Sequence, residues 1–410
     1  MSRILFMSYP GYGHINNTLG IVEKLIRNNH EVIYASNKQY QKIIEDTGAD
    51  FLEYDEKYMD TGLKPTNINN MLYGMESLYF QSKSLVFFQN NIYISMKERI
   101  KELKPDCIIH DSCAFSAKRI GHELGIPAIA CYSNLPVSEN MFERHQEYFG
   151  NNYFKFPEVQ AYKNGKGIKR IETILRKRLI LETGVQLDSF FDLFHAYEKL
   201  NLVFTTKEFQ PFGDEFDDSY CFVGPVIREF YTEQLPRGKK APLIYVSFGT
   251  TLLNNFFVIK TLFEALKNTG FQVILSLGGN VDLSEIGEIP ENITIKAFVP
   301  QKQILKEADL FITCGSTNGT GESLYYHVPI LAIPFALADH FMVAEQVEKL
   351  GLGIYIRDLH LSSEELLHNI CVLINDPKYK ENCRLVGENL ANAGGVEKSV
   401  QIIEDYLSTL

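Results

Sequence analysis

Short β-branched runs, each followed at once by small residues and then a helix-spaced segment, constrain this chain more than any other feature of its sequence. Arg3–Ser8 reads as a strand, and Leu19–Arg27 then sets Leu19, Val22, Leu25 and Ile26 at helical spacing. Glu31–Ala35 and Lys38–Thr47 repeat the strand–helix order, and Cys107–His110 and Ile126–Tyr132 are strands separated by the helical Ala114–Leu124. Near-continuous apolar strands that alternate with helices imply a parallel sheet covered on both faces. A second alternating region begins near Leu243, with strands expected at Leu243–Phe248, Gln272–Leu277, Ile293–Phe298, Asp309–Thr313, Pro329–Pro334 and Leu352–Arg357. Residues 207–241 hold Pro211, Gly213, Asp214, Gly224, Pro225, Pro236 and Gly238, which is linker composition. The chain therefore reads as two doubly wound α/β domains, 1–206 and 242–395, joined by that linker and followed by a last helix within 396–410. Residues 65–103 and 170–200 read as long helices inserted in the first domain, and 150–169 as a mobile loop.

Composition narrows the function classes. A length of 410 residues suits two domains, and 45% hydrophobic residues can bury two cores. A formal net charge of -11 argues against a general nucleic-acid binder, which needs clustered Lys and Arg. No apolar run reaches the roughly 18–20 residues that span a bilayer, and the N-terminus lacks the apolar core and cleavage site of a signal peptide. Seven cysteines without a CxxC pair fit free thiols in a reducing cytoplasm better than a zinc site. Lys163, Lys166, Lys169, Arg170, Arg176, Lys177 and Arg178 form a basic stretch that could meet a membrane surface or an acidic ligand, although a solvated loop and helix face is the preferred reading.

Ligands of doubly wound sheets bind outside the carboxyl ends of the strands, so the residues just after strands carry the chemistry. Two such domains facing each other would create a cleft there. Pro10–His14 follows the first strand and opens a helix; two glycines permit a tight turn, and a helix N-terminus disfavours an imidazolium. His14 is thus either a neutral general base or a structural residue of a plain turn. Asp111 ends a strand, where it can orient an imidazole or cap the helix that begins near Ala114. In the second domain Ser247–Thr251 offers Gly249 and Thr250 to a phosphate. The run Thr313–Glu322 brings Cys314, Ser316, Asn318, Gly319 and Thr320 to a helix start, with Thr317 or Asn318 as N-cap, a candidate anion cradle; Glu322 could accept ribose hydroxyls or simply complement the helix dipole. Asp339 and His340 follow the strand that ends at Pro334, and Asp339 either caps a helix or holds a polyhydroxyl ligand.

Taken in order, these motifs resemble the nucleotide-sugar-dependent glycosyltransferases of the GT-B fold, and within them the bacterial macrolide-type and UDP-glucosyltransferase group, glycosyltransferase family 1. Gly13–Leu19 resembles the opening motif, Pro105–Asp111 the segment that ends in the partner of the base, and Phe298–Leu305 with Ala308–Thr313 the start of the donor signature that closes at Asp339–His340. The resemblance implies two facing Rossmann-like domains with a cleft between them, and a last helix that packs back on the first domain. It implies His14 as base and Asp111 as its partner. Phe298 would stack on the nucleotide base, with Val299 and Gln301 at base and ribose, Glu322 at the ribose, Thr320 at the diphosphate and Asp339 at the sugar hydroxyls. The expected reaction is inverting, independent of metal and of any cofactor, with a UDP-sugar as co-substrate and a small apolar hydroxyl compound, such as a macrolide or polyphenol, as acceptor. No nucleic-acid partner is expected. Three residues depart from the pattern: Cys314 stands where the family has a His that donates to the diphosphate, His340 where it has Gln, and Phe298 where it has Trp. A nucleotide-sugar epimerase, a lipid glycosyltransferase at a membrane surface and a non-catalytic nucleotide-binding helper are the alternatives.

Overall fold

Alternation along the first strand, β1 (Arg3–Met7), divides the apolar side chains of the N-terminal half between two layers. Ile4 and Phe6 belong to one buried cluster and Leu5 and Met7 to another, as period-two geometry requires of a strand covered on both faces. The computed structural model describes residues 1–55, 75–154, 167–228, 241–249, 256–278, 286–334 and 338–410. The chain divides into two compact units, Met1–Arg228 with Ala393–Leu410, and Glu229–Asn392.

In the first unit β1 is followed by α1 (Tyr12–Arg27), β2 (Glu31–Ser36), α2 (Gln41–Glu45) and β3 (Asp50–Glu53). Then come α3 (Met75–Leu103), β4 (Cys107–Asp111), α4 (Phe115–Leu124) and β5 (Ala128–Tyr132). Three helices, α5 (Glu139–Arg144), α6 (Gln146–Phe149) and α7 (Gly167–Thr183), lead to β6 (Asn201–Val203) and β7 (Tyr220–Phe222). The strands form one parallel sheet in the order β3-β2-β1-β4-β5-β6-β7.

The second unit runs β8 (Leu243–Ser247), α8 (Phe256–Leu266), β9 (Gln272–Ser276), β10 (Ile293–Lys296), α9 (Gln301–Leu305) and β11 (Leu310–Thr313). It continues with α10 (Thr317–Tyr325), β12 (Ile330–Ala332), α11 (Ala338–Lys349), β13 (Gly353–Tyr355), α12 (Ser363–Asn375) and α13 (Pro377–Asn392). Its parallel sheet has the order β10-β9-β8-β11-β12-β13, and all of its strands fall within the expected segments. Ile244 and Val246 of β8 face one cluster, while Tyr245 faces the other and stacks on Phe311 at 5.1 Å. The last helix, α14 (Gly395–Leu407), returns to the first unit and packs on α1.

Three short strands escape the sequence reading. β3 lies at an edge with no fully buried residue, and β6 and β7 have three residues each, too few to show a period. β7 lies inside the segment expected as linker, so the first unit extends to Arg228 rather than ending at 206. The turns that mimic a linker, Phe212–Gly213 and Gly224, flank this strand, and Val223 accepts from the Gly395 amide. The loop expected over 150–169 begins as a π-helical turn at Gly150–Phe154 and ends inside α7; residues 155–166 lie outside the described ones.

Both sheets reverse their winding at one place. In the first, β1 and β4 are neighbours, with Met7 opposite His110; in the second, β8 and β11 are neighbours, with Ser247 opposite Thr313. Loops that leave such a pair diverge to opposite faces and open a crevice at the strand ends. Helix α13 braces α10 in the second unit. A Cβ at Gly387 would stand 2.1 Å from the Leu324 carbonyl oxygen, so only glycine permits that approach. Gly387→Ala should therefore lower the stability of the second unit by about 2 kcal/mol in urea unfolding, although alanine is the better helix former. An unchanged midpoint would mean that the two helices can move apart freely.

Candidate active site

His14 and Asp111 meet at the winding reversal of the first sheet. His14 lies in the first turn of α1, whose N-cap is Gly11, and Asp111 is the last residue of β4. Their side chains are 2.9 Å apart, His14 Nδ1 to Asp111 Oδ2. The carboxylate is almost fully buried and the imidazole about a quarter exposed, with side-chain exposures of 1% and 26%. The other carboxylate oxygen accepts the Cys113 amide at 2.8 Å, so the Asp111 plane is fixed from both sides. Asp111 is not a side-chain cap of α4; that N-cap is Ala114 and has no side-chain hydrogen bond. An Nδ1–H held on a carboxylate leaves the basic lone pair on Nε2. Tyr9 stands edge-on to His14 with ring centroids 5.2 Å apart, and Phe88 edge-on to Tyr9 at 5.9 Å, an aromatic wall beside the imidazole.

Several other aromatics of the inserted segments serve the core, whereas Phe80 is exposed. Phe142 stacks on Phe191 at 4.1 Å, and Phe149 and Phe190 are buried with them. Tyr73 lies outside the described residues.

The second site is built on the loops after β8 and β11. The N-cap of α10 is Ser316, not Thr317 or Asn318; its hydroxyl accepts the Gly319 amide at 3.3 Å. Helix α10 thus directs its positive end and first-turn amides at the loop Cys314–Ser316. Thr320 is fully buried, and its hydroxyl, like that of Thr317, has no partner among the described residues. Gly249, in the loop after β8, has φ 62, and Thr250 lies outside the described residues. Gln301 Nε2 donates to Glu322 Oε2 at 2.7 Å, Lys302 lies 3.5 Å from the other oxygen, and Tyr245 donates to Gln301 at 3.0 Å. Val299 packs beside Tyr245, whereas Phe298 leaves 65% of its surface exposed, an uncovered aromatic face near that polar group in sequence. Asp339 is half-buried in the first turn of α11, which begins at Ala338, so it is not the N-cap; His340 is buried beside it.

Sequence reasoning missed Cys113 and the segment from Ser189 to Glu198. One ligand atom each from His14, Asp111 and Cys113 lies within 4.8 Å of the others, a group able to hold a metal. Both Asp111 oxygens already accept hydrogen bonds, and the Cys113 thiol donates to the Phe194 carbonyl at 3.6 Å. These bonds serve an imidazole–carboxylate pair directly. The end of β4 is held by the missed segment: Ala196 N donates to Ser112 O at 2.8 Å, and Ser112 Oγ to Asn134 at 2.9 Å. The basic stretch is largely ion-paired where described: Lys169 with Glu143, Arg176 with Glu172 and Arg178 with Glu182. Lys163 and Lys166 lie outside the described residues, within which no helix is long and apolar enough to cross a membrane. All seven cysteines are free thiols.

His195 anchors the missed segment. Its Nε2 lies 3.2 Å from the Tyr153 hydroxyl, and burial pushes the imidazole down to about 3. In the unfolded chain the ring titrates near 6.5, so below that pH the unfolded state binds the extra proton. The stabilisation is complete above about pH 6.5 and falls by about 2 kcal/mol at pH 5. Urea unfolding at pH 7 and pH 5 should show this slope in the wild type and its loss in His195→Gln; equal slopes would contradict a buried neutral ring.

Residues 260–404 match the family model described as Erythromycin biosynthesis protein CIII-like, C-terminal domain. The chain is 30% identical over 412 residues to the uncharacterised UDP-glucosyltransferase YojK of Bacillus subtilis, covering 98% of this chain and 97% of that one. It is 27% identical to the NDP-glycosyltransferase YjiC of the same organism, covering 99% and 97%. Among solved structures, the glycosyltransferase of kitacinnamycin superposes with a TM-score of 0.77 at 24% identity, covering 98% of each chain.

Proposed function

The chain belongs to the macrolide-type UDP-glycosyltransferases of the GT-B fold, and from that premise we propose that it moves a hexose, with inversion, from a UDP-sugar to a hydroxyl of a small, largely apolar acceptor. The observation that carries this reading is the hydrogen bond between His14 Nδ1 and the buried Asp111 carboxylate, with the imidazole still partly exposed. In the proposed step Nε2 of His14 takes the proton of the acceptor hydroxyl. The oxygen forms its bond to the anomeric carbon through an oxocarbenium-like state, and the bond to the diphosphate breaks with its electron pair on the leaving oxygen. Asp111 holds the imidazole in one tautomer and stabilises the cation formed on it.

The leaving diphosphate gathers charge that the positive end of α10 can stabilise without a metal ion. Phe298 offers its exposed face to the base, and the linked Gln301 and Glu322 offer hydrogen-bond partners to the ribose. Asp339 supplies a carboxylate for sugar hydroxyls. The donor reading is supported by the names of YojK and YjiC, and the apolar acceptor by the family described from erythromycin biosynthesis and by the rings of Tyr9 and Phe88 beside His14.

The test is incubation of UDP-glucose with a panel of hydroxylated polyketides and phenols, with products read by mass spectrometry. Transfer is expected in the wild type, none in His14→Ala, and a loss of about a hundredfold or more in kcat for Asp111→Asn. UDP should raise the melting temperature of all three proteins equally. His14→Ala with the wild-type rate would overturn the base assignment, and an isomerised sugar without transfer would point to an epimerase.

A further inference from the structure

Cys314, just after β11, and His340, in the first turn of α11, are both buried, and Cys314 Sγ lies 3.6 Å from the Phe248 carbonyl oxygen and 4.0 Å from His340 Nε2. The other ring nitrogen, Nδ1, is buried without a hydrogen-bond partner among the described residues. Two hydroxyls of α10, on Thr317 and Thr320, are orphaned in the same way. Buried polar atoms are almost always satisfied, so three orphans on two packed helices mark a place where a ligand completes them. The backbone joins these helices closely. Gly315 has φ 82, and a Cβ there would stand 2.8 Å from the His340 carbonyl oxygen, so the first turn of α11 backs directly on the loop that enters α10. Hydroxyls, an imidazole and the positive end of a helix of nine residues are together suited to an anion.

We propose that His340 Nδ1 donates a hydrogen bond to the diphosphate of the nucleotide-sugar and that Cys314 is the positioning residue that makes Nδ1 the donor. This rests on the donor reading above. The thiol hydrogen has two acceptors within reach, the Phe248 carbonyl and Nε2; when it turns from the carbonyl to Nε2, the neutral ring carries its own hydrogen on Nδ1. When the proton has passed from sulfur to Nε2, the thiolate accepts it back as a hydrogen bond, and Nδ1 again carries a hydrogen. In both of these states Nδ1 carries a hydrogen that an anion can accept, and in the second the ring is also positive. Burial by itself lowers the proton affinity of His340, but the charge and hydrogen bond of Cys314, with the charge of Asp339, outweigh it and hold the imidazole at about 9.

The two ring nitrogens can be separated by substitution. Gln at 340 places its amide near Nε2 and loses Nδ1, whereas the shorter Asn places an amide N–H near Nδ1. Affinity of the full chain for UDP is measured by titration calorimetry, and for uridine, which lacks the diphosphate, by displacement. His340→Gln should weaken UDP by about tenfold or more and leave uridine unchanged, while His340→Asn keeps most of the UDP affinity. Cys314→Ala should weaken UDP, and Cys314→Ser, which still donates to Nε2, should restore it. UDP affinity unchanged in His340→Gln, or UDP and uridine weakened together in every variant, would overturn the proposal and leave the donor reading standing. A wild type that binds neither UDP nor dTDP would overturn both.

Discussion

A carboxylate with 1% of its side chain exposed is costly to bury, and Asp111 is kept there by hydrogen bonds from the Cys113 amide and from an imidazole 97 residues earlier in the chain. That pairing exists because β1 and β4 are neighbours although two strands and three helices separate them in sequence. A sheet wound from one end to the other would put these strands apart. The reversal between them therefore comes first, and the chemistry proposed for His14 follows from it.

The second unit repeats the logic with a different polar group. The reversal between β8 and β11 sets the loop of Gly249 beside the loop of Cys314, and the small residues at Gly315 and Gly319 let the chain turn into α10 at close range. What collects there is a helix dipole, buried hydroxyls without partners and an imidazole. These groups suit developing negative charge, whereas the His14–Asp111 pair suits a proton. The Gly387 contact under α10 belongs to the same construction, since it fixes the helix whose end carries the charge.

The strand-then-motif grammar was legible without coordinates because parallel strands are short, apolar and followed by their functional residues. His14, Asp111 and the small residues of the α10 entry could all be named from it as candidates, and the structure brings His14 and Asp111 together. Three-residue strands could not, since Asn201–Val203 and Tyr220–Phe222 are too short to show a period and sit among turn residues. Caps were misplaced by one or two positions: Ser316 takes the role assigned to Thr317 or Asn318, and Asp339 lies inside α11 rather than before it. The sequence marked Cys314 as unusual but could not show its neighbour, because a contact between residues 26 apart on different elements leaves no local pattern.

The proposed reaction is a single displacement in which His14 removes one proton and no covalent sugar–enzyme intermediate forms. The most direct test is the anomeric configuration of the product made from α-linked UDP-glucose, read from the proton–proton coupling at the anomeric carbon by NMR. A β-glycoside at the earliest measurable time is the result this account predicts. An α-glycoside would contradict it, since retention requires a second displacement and a nucleophile that the His14–Asp111 pair does not provide.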